Sequence, residues 1–146
     1  MRVVAQRVVE AEVTVDGESV GRIGSGLLLL VGVAAGDRLD HAGWMAAKIA
    51  GLRIFDDETR APSRLSVVEI GGAVLAVSQF TLLADCRKGR RPSYDGAMPA
   101  ADAATLFDRF VRELRTLVPE VATGRFGADM RVRLVNDGPF TLVVDS

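Results

Sequence analysis

The sequence predicts an α+β domain, and three observations carry that reading. Most β-rich stretches are separated by tight-turn signals, Asp16-Gly17 and Gly71-Gly72 among them, so the strands read as hairpins. Only two stretches have helical periodicity, which is too few for a regular alternation of strand and helix. With 146 residues the chain can build one packed core and is short for two ordinary domains, so residues 1–146 are read as one unit.

Taken in order, Val8 to Ile23 reads as a hairpin, with Ala11, Val13 and Val15 alternating with Glu10, Glu12 and Thr14. The glycine-bounded "LLLLVGV" run after Gly24-Ser25-Gly26 is apolar at almost every position and predicts a central strand covered on both faces. Asp37 to Gly51 is a predicted helix, with Trp44, Met45, Ile49 and Leu52 on one side and Asp37 or Asp40 placed to cap it. "LRIF" and the polar "DDETRAPS" follow as a short strand and a loop. Val67 to Leu83 reads as a second hairpin about Gly71-Gly72, and "ADCRKGRRPSYDGAMP" as a long polar loop. Ala100 to Val118 has the clearest helical pattern, with Ala103, Leu106, Phe107, Phe110, Val111, Leu114, Leu117 and Val118 at helical spacing and Pro119 ending it. Two strands close the chain, Arg131 to Val135 and Phe140 to Val144. Between them stand Gly138 and Pro139, which weaken a strand interior by flexibility and by a missing N–H.

Composition narrows the function. Eighteen basic against 19 acidic residues give no electrostatic pointer to a partner. The longest apolar run, Leu27 to Ala35, is about half of the ~20 residues of a membrane-spanning helix, and the N-terminus has no signal-peptide pattern, so a cytoplasmic protein with no membrane partner is expected. One cysteine, Cys86, excludes an internal disulfide, and with one histidine, His41, there is no Cys/His cluster for a metal. No cofactor is expected. "GSGLLLL" precedes a strand and lacks a P-loop lysine, so it is no phosphate loop.

Two stretches remain as candidate chemistry. Arg87, Lys88, Arg90 and Arg91 put four cations within five positions, either to meet phosphates or simply as a solvated loop. "VLAVSQFTLL", if extended, places Ser78 and Phe80 on one face and Gln79 and Thr81 on the other, inside a run apolar enough for burial. Those polar groups either bond neighbouring backbone or line a polar pocket.

Together, "SQFTL" at Ser78 to Leu82 and "NDGPFT" at Asn136 to Thr141 resemble the two signature motifs of the D-aminoacyl-tRNA deacylases. The resemblance extends to "QRV" at Gln6, "RIF" at Arg53, "GRRPSY" at Gly89 and "GRFGADM" at Gly124, and departs at Phe140, where many members have valine. It implies a barrel-like pair of mainly antiparallel sheets packed with two main helices, assembled as a homodimer. It implies hydrolysis of the ester of D-aminoacyl-tRNA, and of mischarged glycyl-tRNA, as proofreading in translation. Aminoacyl-tRNA and a second copy of the chain are then the partners, and DNA is not. By the same resemblance Gly138-Pro139 has a cis bond, enters the partner's active site and rejects L-substrates, with Arg7 holding its carbonyls. Catalysis is expected from the Phe80 N–H with Thr81 on the oxyanion side, substrate binding from Ser78, Gln79 and Met130, and tRNA contact from Arg87, Lys88, Arg90 and Arg91. Thr81 as a covalent nucleophile, and a non-catalytic module binding the tRNA acceptor end, are the alternatives.

Overall fold

The computed structural model describes residues 1–57, 59 and 63–146. Part of the predicted "DDETRAPS" loop therefore lies outside the described residues. Six strands form one sheet: β1 (Arg2–Val15), β2 (Glu18–Ile23), β3 (Gly26–Gly32), β4 (Ala73–Ser78), β5 (Glu120–Thr123) and β6 (Arg131–Asp145). Helix α1 (Leu39–Ala50) lies between β3 and β4 in sequence, and α2 (Ala100–Leu117) between β4 and β5.

Strand β1 organises the sheet. Its first half pairs antiparallel with β3 and its second half with β2, while β6 pairs antiparallel along nearly its whole length. The expected β1–β2 hairpin is present, and Asp16 and Gly17 both take the positive φ that a two-residue hairpin turn demands. From β3 onward the pattern changes, because β3–β4 and β4–β5 are parallel. A parallel pair needs a crossover, and the two helices supply it.

This corrects several expectations. There is one strongly curved sheet instead of two, a nearly closed barrel in which Gly21 of β2 comes against the Thr123 carbonyl of β5 at a distance no side chain would permit. The predicted hairpin at 67–83 does not form, since residues 67–71 are a turn and only Ala73–Ser78 is a strand. "LRIF" makes a single bridge, Phe55 to Leu65, rather than a strand. Arg131–Val135 and Phe140–Val144 belong to one strand, β6, with an irregularity in its middle. The error at 67–83 has a plain cause. A diglycine between apolar runs marks a change of direction equally well whether the partner strand is next in sequence or elsewhere in the sheet.

Two apolar clusters result. In one, the helices cover the outer face of the sheet, burying Met45 and Ile49 of α1 and Phe107, Phe110 and Leu114 of α2 against Val3, Ala5, Leu27, Leu29 and Val74. The other fills the inside of the curl with Val8, Val13, Leu28, Leu75 and Val77. Helix α2 buries the face that its periodicity predicted except at Leu117, which is exposed at the last turn, where the helix ends. Helix α1 does so in part, because Trp44 is half exposed and the buried face is made of Ala42, Met45, Ala46, Ile49 and Ala50. Nor do Asp37 or Asp40 cap α1. The N-cap is Arg38, whose N–H donates to His41 Nδ1 at 3.4 Å. Asp37 instead accepts from the Met1 ammonium and the Ala34 N–H. Among the described residues no helix is long and apolar enough to cross a membrane.

Candidate active site

The "SQFTL" segment sits where β4 ends. Ser78 is the last strand residue, and Gln79 extends the β3–β4 ladder by one bond, its N–H donating to the Val31 carbonyl at 2.8 Å. The chain then turns into a 3-10 helix, Phe80–Leu83. The extended alternation expected for Ser78 to Thr81 therefore ends at Ser78. Gly32 makes the turn possible: a Cβ there would come 2.2 Å from Leu83 Cδ2 and 3.1 Å from the Gln79 carbonyl, so the turn lies against bare backbone. Phe80 and Thr81 open the turn, and their N–H groups have no acceptor within it.

Beside the turn is a cavity of about 520 Å³. Ser78, Gln79 and Phe80 form one wall, and Phe126, Asp129 and Met130 form another. Ala100 and Ala103, in the first turn of α2, leave its floor open where larger side chains would fill it. Valines from β3, β4 and β6 complete an apolar base with polar groups at the rim, the usual make-up of a small-ligand site. The cavity thus brings together Ser78, Gln79, Phe80 and Met130. Thr81 is next to it but does not line it. Its hydroxyl accepts a hydrogen bond from the Gln79 side-chain amide.

Gly138 and Pro139 lie elsewhere. Gln6 pairs with Thr141 and Val8 with Asn136, so a single β1 residue, Arg7, faces the four residues Asp137 to Phe140. The surplus backbone stands out from the sheet, Asn136 to Pro139 are exposed, and the Gly138–Pro139 bond is cis. Arg7 is 6% exposed, a rarity for arginine, and it fills the space behind the bulge. Its guanidinium donates to the Ile54 carbonyl at 2.7 Å, the Asp137 carbonyl at 3.2 Å and the Gly138 carbonyl at 3.4 Å. It pairs with the Asp137 carboxylate at 2.9 Å and lies 4.3 Å from the centre of the Phe140 ring. Asn136 closes the bulge by donating to the Arg7 and Phe140 carbonyls. Phe140, the residue that departs from valine, here supplies the cation–π face.

The basic loop is a hairpin held by Asp85 and Ser93, which exchange both backbone hydrogen bonds. Asp85 also binds Arg87 through two oxygens, at 2.9 and 2.6 Å. That hydrogen-bonded pair lowers the Asp85 carboxyl pKa and raises that of Arg87. Arg87 is thus paired with Asp85, while Lys88, Arg90 and Arg91 have no ion pair among the described residues. Cys86 is a free, exposed thiol, and His41 Nδ1 lies 3.1 Å from Asp37 Oδ1 at the start of α1. Among the described residues no three His, Cys, Asp or Glu side chains come together as a metal site.

Sequence reasoning missed Phe126 and Asp129 in the wall of the cavity, and Tyr94, whose ring packs edge-on against Phe80 with centroids 5.1 Å apart. The available signal was an aromatic residue within each of two polar, glycine-containing loops.

The family model for D-Tyr-tRNA(Tyr) deacylase matches residues 4–145. A D-aminoacyl-tRNA deacylase of Geobacter sulfurreducens is 53% identical over 146 residues, covering 100% of this chain and 95% of that protein. A solved structure titled "c-Myc DNA Unwinding Element Binding Protein" superposes with a TM-score of 0.95 at 38% identity, covering 100% of this chain and 99% of the other. Another, titled as a probable eukaryotic D-amino acid tRNA deacylase, shares the fold with a TM-score of 0.87 at 19% identity and covers 99% and 98% of the two chains. The chain belongs to the D-Tyr-tRNA(Tyr) deacylase family, and is a hydrolase with D-aminoacyl-tRNA deacylase activity.

Proposed function

We propose that the cavity beside Phe80 receives the terminal aminoacylated adenosine of a tRNA and that water cleaves its ester to give free amino acid and tRNA. The water oxygen bonds to the carbonyl carbon, the bond to the ribose oxygen breaks, and a proton passes to that ribose oxygen. The Phe80 N–H, with the adjoining Thr81, stabilises the oxyanion that forms in between, a term commonly worth ~2.7–4 kcal/mol per donor. Ser78 and Gln79 shape the pocket and hold the adenosine, with Met130 beside it. The neighbouring ribose hydroxyl helps to orient the water. Thr81 acting as a covalent nucleophile needs a base. The group found on its hydroxyl is the Gln79 amide, which cannot take a proton, and this favours the direct attack of water.

One observation carries the stereochemical part. The bulge is exposed at residues 137–139, anchored from behind by Arg7, and absent from the cavity of its own chain. In a homodimer each bulge enters the other copy's cavity, where the Gly138 and Pro139 backbone collides with an L side chain and leaves room for a D side chain. Backbone obstruction of this kind rejects by repulsion, which apolar pocket contacts alone do poorly. Glycine has no side chain to reject, so glycyl-tRNA is a substrate too. The cytoplasm, where translation is proofread, is the setting. A single-stranded RNA end fits this cavity better than duplex DNA, whose nucleosides stay stacked. A non-catalytic module binding the tRNA acceptor end would not accord with relatives that bear an enzyme's name.

Incubation with D-tyrosyl-, L-tyrosyl- and glycyl-tRNA tests the reading. The D-ester and the glycyl ester should disappear and the L-ester persist as in buffer. Loss of the D-ester no faster than in buffer refutes the assigned chemistry, and equal loss of the L-ester refutes the gate.

A further inference from the structure

We propose that Phe80 and Tyr94 form a stacking platform for the nucleobase that precedes the terminal adenosine, so that the enzyme reads the single-stranded end of its RNA two nucleotides deep. The inference rests on the hydrolysis reading above and adds a second base-binding position to it.

Both rings are unusually exposed, Phe80 at 57% and Tyr94 at 40%. They meet edge to face, with planes 64° apart, an arrangement that occupies one ring face and leaves others open. Phe80 lines the cavity and Tyr94, which packs on it, does not, so the pair joins the cavity to the basic hairpin. A nucleoside seated in the cavity must send its 5′ phosphate and the preceding base out over that rim.

The hairpin supplies the complementary charge. Tyr94 follows Ser93, which closes the hairpin on Asp85, and its own carbonyl accepts from the Ala97 N–H at 2.9 Å. The Ser93 hydroxyl donates to the Asp95 carboxylate at 2.7 Å, bracketing Tyr94 from both sides. The same hairpin carries Lys88, Arg90 and Arg91, which have no ion pair among the described residues. An aromatic face beside free cations is the combination that binds single-stranded nucleic acid, with stacking for the base and charge for the backbone. Arg87, on the same hairpin, is paired with Asp85.

The test uses three D-tyrosyl esters: of adenosine, of the terminal trinucleotide, and of the same trinucleotide with an abasic sugar before the adenosine. In the wild-type enzyme, removing that base should raise KM roughly tenfold with little change in kcat, within the range seen when one base–aromatic stack is lost. In Tyr94→Ala the abasic and intact trinucleotides should become equivalent, and Tyr94→Phe should restore the difference. Comparing the two trinucleotides within each variant cancels any disturbance of Phe80 itself. A wild-type KM indifferent to the base, or a difference that survives in Tyr94→Ala, overturns the proposal. A wild-type enzyme inert on all three esters would sink the hydrolysis reading and this inference with it.

Discussion

Arg7 and Gly32 show how much of the site hangs on single positions. Arg7 joins β1, the 54–56 segment and the bulge of β6 through one planar fork of donors. Lysine keeps the charge but offers a single ammonium, so it cannot hold two carbonyls and a carboxylate in that geometry. In Arg7→Lys, hydrolysis of L-tyrosyl-tRNA relative to D-tyrosyl-tRNA should rise roughly tenfold, the size expected from losing one charge-assisted hydrogen bond. Single-turnover rates on both esters check this, and unchanged selectivity would remove Arg7 from the gate. Legibility at this scale was uneven. Ser78, Gln79, Phe80 and Met130, singled out through motif resemblance, line one cavity. Phe126 and Tyr94 were passed over because nothing local distinguishes a loop aromatic that borders a pocket from one that merely covers a core. Of the four cations in the basic loop, Arg87 is the one with an ion-pair partner, Asp85, two residues away.

At the scale of elements, the long helix α2 was the most legible and is the most consequential. Its apolar residues repeat at helical spacing, and that face is buried in the structure. Phe110 is fully buried there, and Phe110→Ala should cost about 3–5 kcal/mol of unfolding free energy, read as a lower denaturant midpoint at unchanged m-value. A loss below 1 kcal/mol would mean that α2 is not the cover of the core. The bulge in β6 has an element-scale explanation as well. Val132 and Leu134 pack inside the curl, whereas Phe140, Leu142 and Val144 pack against the helix-covered cluster. Both β1 and β6 pass from one cluster to the other, and the irregular register at Arg7 and at 137–140 falls at that crossing. A regular strand keeps alternate residues on one face and has no means of changing side.

For the whole molecule, the cavity and the bulge are separate in one chain, and the proposed gate requires two. The protein should therefore behave in solution as a dimer, with twice the monomer mass by sedimentation or light scattering. Mixing should add a sharper outcome. A Gln79→Ala chain and a Pro139→Ala chain, each impaired alone in hydrolysis or selectivity, should together regain a fraction of selective sites, because one hybrid site joins an intact cavity to an intact bulge. A persistent monomer with full L-rejection would overturn the shared-site arrangement.

By itself the sequence determined the local choices: an α+β mixture, the β1–β2 hairpin, most of the buried face of α2, and the need for something other than a regular strand at Gly138-Pro139. These rest on periodicity and turn chemistry, which act over a few residues. Only the tertiary structure decided that β3, β4 and β5 run parallel in a single curved sheet, that "SQFTL" leaves its strand at Ser78, and that the cavity and the bulge lie apart in one chain. Strand pairing and burial depend on partners more than a hundred residues apart, such as Arg7 and Gly138, and no local pattern encodes which distant surface will fill the space.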